Sequence, residues 1–183
     1  MFIFHFIGDL HQPLHVEDAY RGGNDIPTCF RRACAHVELH AIWDKYIPHK
    51  IVGLSNSAKN PEEKIAAADW ADKLYADNKD KLKSQCADMK NPLKCIMEWV
   101  EETNKYICSF VLNVGGLTNI EDIAAWFEGR DLSTDYYEGA APIAENLIGL
   151  AGIRLGAYLN AMVAAAQTAH VSGTQEPLGD SDL

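Results

Sequence analysis

Residues 144–162 read AENLIGLAGIRLGAYLNAM. Ala144, Leu147, Ile148, Ala151, Leu155, Tyr158, Leu159 and Met162 recur there at steps of three and four, an apolar stripe sustained for about five helical turns. Two further segments carry the same period. Asn60-Pro61-Glu62-Glu63 has the order of a helix start, with an Asn cap, Pro at the first helical position and Glu at the third. Behind it Ala67, Trp70, Ala71 and Leu74 form the expected inner face. Asn91-Pro92 opens another helix, with Ile96, Trp99, Val100, Thr103 and Ile107 as its face and Gly115-Gly116 as its stop. Alternating strand patterns are nearly absent. Residues 17–35, with Gly22-Gly23-Asn24, Pro27, Arg21, Arg31 and Arg32, read as a loop. The residues after 167, polar with Gly and Pro from Ser172 onward, are expected to be a frayed tail. The fold class is all-α.

The chain has 183 residues, which corresponds to one domain. With 48% apolar and 9% aromatic residues, disorder is excluded. Sixteen Lys and Arg against 26 Asp and Glu leave a net charge of −10, which argues against a basic groove that wraps duplex DNA. The start (MFIFHFIGDL) is apolar but lacks a basic flank and is interrupted by His5 and Asp9, so it is not read as a secretory signal. No run is expected to reach the roughly 18 apolar residues of a membrane span. The five cysteines are Cys29, Cys34, Cys86, Cys95 and Cys108, with no C-x-x-C pair. Cys29/Cys34 and Cys86/Cys95 could each close a short loop in an oxidising compartment, leaving Cys108 over. Spacing alone supports buried free thiols equally well.

The informative chemistry lies in the first fifty residues. His5 and Asp9 are four apart, and so are His40 and Asp44. On a helix, residues four apart share a face, so each pair offers an imidazole nitrogen and a carboxylate oxygen to one point. Zinc accepts both donor types. His15, just past Pro13, could supply a third ligand. A single His-x-x-x-Asp pair is more often a surface contact. Two pairs flanking an extra histidine, among apolar Phe4, Phe6, Ile7, Leu39, Ile42 and Trp43, bring metal binding level with that reading. His11 is read as a structural histidine behind the ligands, His36 and His49 as solvent or loop residues, and His170 as uninformative. The sequence has no G-x-S-x-G, P-loop or G-x-G-x-x-G. Glu62-Glu63 and Glu101-Glu102 are read as solvated or cap charges, and Asp69 and Asp72 as the polar side of their helix.

Taken in order, HFIGDLHQPLH (5–15), Gly22-Gly23-Asn24, LHAIWD (39–44), WVEETN (99–104), DLSTDYYE (131–138) and AGIRL (151–155) resemble the S1/P1 nucleases. The resemblance runs from residue 3 to about residue 163. It implies a phospholipase C/P1 nuclease-like helical fold, mostly helices with long loops, over residues 1–167. That fold is shared with bacterial zinc phospholipase C. It also implies a secreted, disulfide-containing, monomeric enzyme without a membrane partner. Such enzymes hold three zinc ions, cleave single-stranded DNA and RNA to 5′-phosphoryl products, and remove 3′-phosphates from nucleotides. By motif position His15, His40 and Asp44 match the ligands of one zinc. His5 and Asp9 match two ligands of a second, with Asp9 bridging to a third; they belong to the pair that generates the attacking hydroxide. Tyr46 and Asn24 are carried over as residues near the substrate. A full set of three Zn²⁺ would add +6 where phosphate binds, so the acidic composition does not oppose phosphate chemistry.

The pattern also departs from the family. The opening tryptophan, the upstream aspartate and histidine ligands, a base-stacking aromatic and an acidic residue near the phosphate have no counterpart, so an N-terminally truncated member is expected. Cys29-Phe30-Arg31-Arg32-Ala33-Cys34 is an unexpected insertion, and the family's long-range disulfide would give Cys108 an upstream partner. No Asn-x-Ser/Thr sequon is present. Two alternatives stand beside the nuclease: a zinc phospholipase C-like esterase, and an inactive member that binds a single zinc.

Overall fold

The computed structural model describes residues 2–173, with side chains through residue 168. Among the described residues, six longer helices form the framework, with short helical turns between them. Helix α1 is Phe2–Asp9. Helix α2 is assembled from Leu39–Ala41, a wide π-helical turn Ile42–Tyr46, and Ile47–Ile51. Helix α3 is Glu62–Asn78. Helix α4 is Pro92–Tyr106, prolonged by a π-helical turn Ile107–Val111. Helix α5 is Ile120–Phe127 and α6 is Asp135–Gly173. Strand pairing among the described residues is limited to three isolated bridges, Pro27 with Glu38, Cys29 with Asp131 and Phe30 with Ala33. The all-α reading holds.

The long helix α6 organises the rest, with α1, α2 and α3 packing along it. Its inner stripe is Ala140, Ala144, Leu147, Leu150, Ile153 and Arg154, all buried. This is rotated from the expected stripe, so Ile148 and Met162 are exposed. The cause is that α6 is gripped on more than one side. Gly139 lies against the Phe110 ring and Gly149 against Asn78, approaches that exclude a Cβ. A stretch of α6 with mean hydropathy 1.5 is long and apolar enough to cross a membrane, contrary to the expectation that no run would reach that length. Leu147 and Ile153 of this helix are buried, and 28% of the apolar stretch is covered by the rest of the protein. The helix runs on to Gly173, so the stretch expected to fray from residue 168 begins as helix; residues 174–183 lie outside the described residues.

The main core joins Leu14, Ile26, Phe30, Leu39, Ile42 and Trp43 to Val111, Phe127, Leu132 and Ala144. At roughly 1.5–3 kcal/mol for each fully buried large side chain, this cluster dominates stability. A smaller cluster, Ile7 with Cys95 and Trp99, fixes α1 against α4. Ile7 is the buried residue of α1; Phe4 and Phe6, read from sequence as apolar neighbours of the site, are exposed together with Phe2.

Other expectations at helix ends are corrected. Helix α3 begins at Glu62, and no side chain caps it. Glu63 does not fold back on the Asn60 amide but lies 3.1 Å from His49 Nε2. Along this helix Leu74 and Asn78 are buried while Ala67 and Ala71 are exposed. His49 is therefore buried, not a solvent residue, and its Nδ1 bonds the Ser55 carbonyl at 3.0 Å. Helix α4 ends at Val111, ahead of Gly115-Gly116, because its last turn widens and closes on Leu112. Helix α5 was not anticipated, although its start is capped by Asn119 Oδ1, which accepts from the Glu121 and Asp122 amides at 2.8 and 3.3 Å.

Two disulfides close short loops, Cys29–Cys34 and Cys86–Cys95, and Cys108 is free and exposed. The first loop is an anchored structural element. Arg31 and Arg32 both adopt left-handed φ, 50° and 65°, and their amides converge on the Asp131 carboxylate at 3.0 and 2.8 Å. Successive amides in such a turn form a concave anion site, and here the occupant is the chain's own Asp131. Burial acts to raise the Asp131 pKa, but the bonds from Ser133 and from the Arg32 and Arg31 amides outweigh it, and the net shift is downward.

Candidate metal centre

Three backbone devices bring the candidate ligands together. Pro13–Val16 is a single tight helical turn with Pro at its first position, and Gln12 caps it, its Oε1 accepting the Leu14 N–H at 2.6 Å. That turn presents His15. Helix α2 presents His40 and Asp44 one turn apart, as their spacing predicts. Between them lies Tyr20–Gly23, where four consecutive residues have left-handed φ of 50°, 52°, 62° and 79°. For Tyr20 and Arg21 this conformation costs roughly 1–2 kcal/mol each, and such strain persists only where the surroundings enforce it. The turn aims the Gly22 carbonyl at His40, whose Nδ1–H donates to it at 2.7 Å. That bond settles the tautomer: Nδ1 carries the proton and Nε2 keeps a free lone pair.

The donors meet at one place. His40 Nε2 lies 3.2 Å from Asp44 Oδ2, and His15 Nε2 lies 3.1 Å from Asp44 Oδ1. The two imidazoles stack at 4.9 Å. One ligand atom from each of His15, His40 and Asp44 lies within 4.8 Å of the others. Nitrogen and oxygen ligands about 2.0–2.1 Å from a tetrahedral zinc stand about 3.3 Å apart, and the two His–Asp separations of 3.1 and 3.2 Å are compatible with that spacing. Two neutral imidazoles and a carboxylate suit zinc better than calcium or magnesium, which favour all-oxygen shells. The donor set fits the metal.

Next to this triad, His15 Nδ1 is 3.6 Å from Asp9 Oδ1, and Asp9 Oδ2 is 3.2 Å from His5 Nε2. Asp9 thus stands between His5 and the triad. His5 is 72% exposed, however, and among the described residues His5 and Asp9 gather no third donor of their own. The His15 pKa is raised, first by its bond to Asp44 and against the effect of burial. Asp44 is lowered: burial acts to raise it, but the bonds from His15 and Gln12 and the nearby His40 outweigh that. Ligation needs unprotonated nitrogens, so cation uptake here releases protons.

The remaining candidates lie elsewhere. Tyr46 packs its ring on Phe30 at 5.7 Å, at the edge of the main core. Asn24 turns back to donate to the Arg21 carbonyl at 2.8 Å. His11 is buried as a structural residue. Its Nδ1–H donates to the Ile7 carbonyl at 2.7 Å, and its Nε2 accepts from Arg154 at 2.9 Å. Burial first, opposed by the Ile7 bond and assisted by Arg154, lowers its pKa to about 4, so it is neutral at pH 7. Arg154 in turn pairs with Glu102 and donates to Gln85 at 3.2 Å. Glu102 and Glu63 are therefore structural partners, not purely solvated charges. Sequence reading missed Gln12 and the Gly22 carbonyl. Their only signals were their places inside HQPLH and Gly-Gly-Asn.

A cavity of about 250 Å³ opens beside the triad, lined by Asp9, His15 and Asp44 on one wall and by Trp43, Pro48 and Leu147 on another.

Helices gathered along α6, with a His-His-Asp cluster that could hold a metal ion, define an all-α protein with a candidate metal centre. The sequence profile of the S1/P1 Nuclease family matches residues 1–164, and the chain belongs to that family. Nuclease S1 of Aspergillus oryzae is 34% identical over 160 residues, covering 87% of this chain and 52% of the relative. Nuclease P1 of Penicillium citrinum is 30% identical over 169 residues, covering 87% and 55%. Endonuclease 2 of Arabidopsis thaliana is 30% identical over 166 residues, covering 87% and 50%. The chain spans about half the length of the curated relatives it matches.

Proposed function

We propose that this chain is the zinc-holding part of a secreted, monomeric nuclease, folded as one domain over residues 1–167. It hydrolyses single-stranded DNA and RNA to 5′-phosphoryl products and removes 3′-phosphates from nucleotides. One observation carries the reading: His15, His40 and Asp44, from two separate segments, meet within 4.8 Å in a member of the S1/P1 family. Family membership supports the substrate class, and two disulfides support an oxidising destination.

His15, His40 and Asp44 would hold one zinc, with His5 and Asp9 contributing to the other two of the family's three. Bound zinc would polarise a phosphoryl oxygen and stabilise charge on the leaving 3′-oxygen. The chain's residues make that possible in definite ways. The Gly22 carbonyl keeps the His40 proton on Nδ1, away from the site. Asp44 stays ionised. The apolar wall of Trp43, Pro48 and Leu147 limits water on one side of the cavity, which strengthens electrostatic interactions there.

The test is zinc content and acid-soluble nucleotide release from denatured DNA, for the chain and for His40→Ala. Zinc uptake that His40→Ala abolishes at this site supports the ligand assignment; undiminished zinc in that variant refutes it. A second reading, a single-zinc protein without turnover, is favoured by the absence of a second three-donor cluster among the described residues. One zinc per chain with no nucleotide release would establish it.

A further inference from the structure

We infer that Gln12 is a positioning residue for the metal centre, coupling the two chain segments that supply its ligands; the inference rests on the zinc reading of His15, His40 and Asp44. One side chain spans both segments. Its Oε1 accepts the Leu14 N–H at 2.6 Å, which caps the turn carrying His15. Its Nε2–H donates to Asp44 Oδ1 at 2.9 Å, thirty-two residues further along the chain. The amide orientation is dictated by chemistry. A backbone N–H can only donate and an ionised carboxylate can only accept, so oxygen must face Leu14 and nitrogen must face Asp44.

The consequence falls on Asp44. A carboxylate on an exposed helix turn has rotational freedom that any ion it binds must remove. Oδ1 accepts from Gln12 and also lies 3.1 Å from His15 Nε2, so Gln12 adds a second, non-ligand hold on the carboxylate plane while Oδ2 faces His40 Nε2 at 3.2 Å. Pro13 limits the backbone freedom of the turn on the other side. Gln12 therefore preorganises a nitrogen ligand and an oxygen ligand relative to each other, while remaining outside the ligand set. Partners of this kind are worth about 10–100-fold in metal affinity.

Two substitutions separate the cap from the bridge. Gln12→Ser keeps a strong capping side chain for the turn but is too short to reach Asp44. Gln12→Met keeps the length and removes both bonds. The experiment measures zinc affinity by competition with a chromophoric chelator, thermal unfolding of the metal-free chains, and the visible spectrum of the cobalt-substituted chains. The expected result is a 10–100-fold loss of zinc affinity and an altered cobalt spectrum in both variants, with metal-free unfolding of Gln12→Ser close to wild type. Wild-type zinc affinity and spectrum in both variants overturn the inference while leaving the triad intact. Affinity that falls only in step with metal-free stability reduces Gln12 to a cap and also overturns it. Failure of the wild-type chain to take up zinc overturns this inference and the zinc reading together.

Discussion

Gly22→Ala tests whether the left-handed turn sets the metal centre. Gly22 has φ of 62°, and a methyl group placed on it would stand 2.5 Å from the Leu14 carbonyl oxygen, 3.2 Å from that of Glu17 and 3.6 Å from His40 Nδ1. Two costs arise. Holding alanine in the left-handed region costs roughly 1–2 kcal/mol. Relieving the clash with backbone oxygen, which cannot swing away as a side chain can, costs a further 1–3 kcal/mol or so. The total is about 2–5 kcal/mol, or a fall of roughly 5–15 °C in Tm for a domain of this size. Gly53→Ala is the matched control, because Gly53 also has positive φ, 75°, with no atom within 4 Å of the added methyl. It should show the conformational cost alone, about 1–2 kcal/mol. The clash also displaces the Gly22 carbonyl from His40 Nδ1, so zinc affinity, measured well below both transitions, should fall about 10–100-fold in Gly22→Ala and stay unchanged in Gly53→Ala. Equal Tm losses in the two variants, with wild-type zinc affinity in both, would refute the reasoning.

Three further outcomes are expected. The Asp131 pKa is depressed in the folded chain, so its contribution to stability is present above its unfolded value near 3.9 and is lost as pH falls through the folded value. Urea unfolding of Asp131→Asn should show a deficit of about 1 kcal/mol at pH 7, discounted for solvent screening, that shrinks as pH falls below the unfolded carboxylate value; a deficit that does not vary with pH would contradict the account. Arg154→Met removes the partner of Glu102, His11 and Gln85 and should cost about 2–3 kcal/mol, read by chemical denaturation, with helix content retained. Peptide mapping without reductant should recover Cys29–Cys34 and Cys86–Cys95 as linked pairs and alkylated Cys108.

The candidate metal centre was legible where its chemistry is local. His40 and Asp44 are four apart, and a helical turn is enough to bring their donors to 3.2 Å. The same rule places His5 beside Asp9. His15 was a candidate without a position, because the orientation of one turn relative to another is not encoded in spacing. The histidines outside the triad show the limit plainly. His11 and His49 are both buried. His11, flanked by ligand motifs, was read correctly as structural. The sequence reads His49 as a solvent or loop residue because its partner Glu63 belongs to the next helix. Charge and hydropathy patterns register a residue's own preferences, not the partner that tertiary packing supplies.

The sequence by itself determined the helical class, through the three-and-four spacing in α3, α4 and α6, and it determined the ordered motifs that mark the family. These rest on interactions within a turn or two, which neighbouring residues settle among themselves. Only the tertiary structure decided which face of α6 is buried, because Phe110 and Asn78 press against its glycines from other helices. It alone decided that the Cys29–Cys34 loop cradles Asp131, about a hundred residues away. It alone aimed a glycine carbonyl and the Gln12 amide at the ligands. Those contacts join segments far apart in the chain, and their geometry follows from packing a whole core rather than from any local preference.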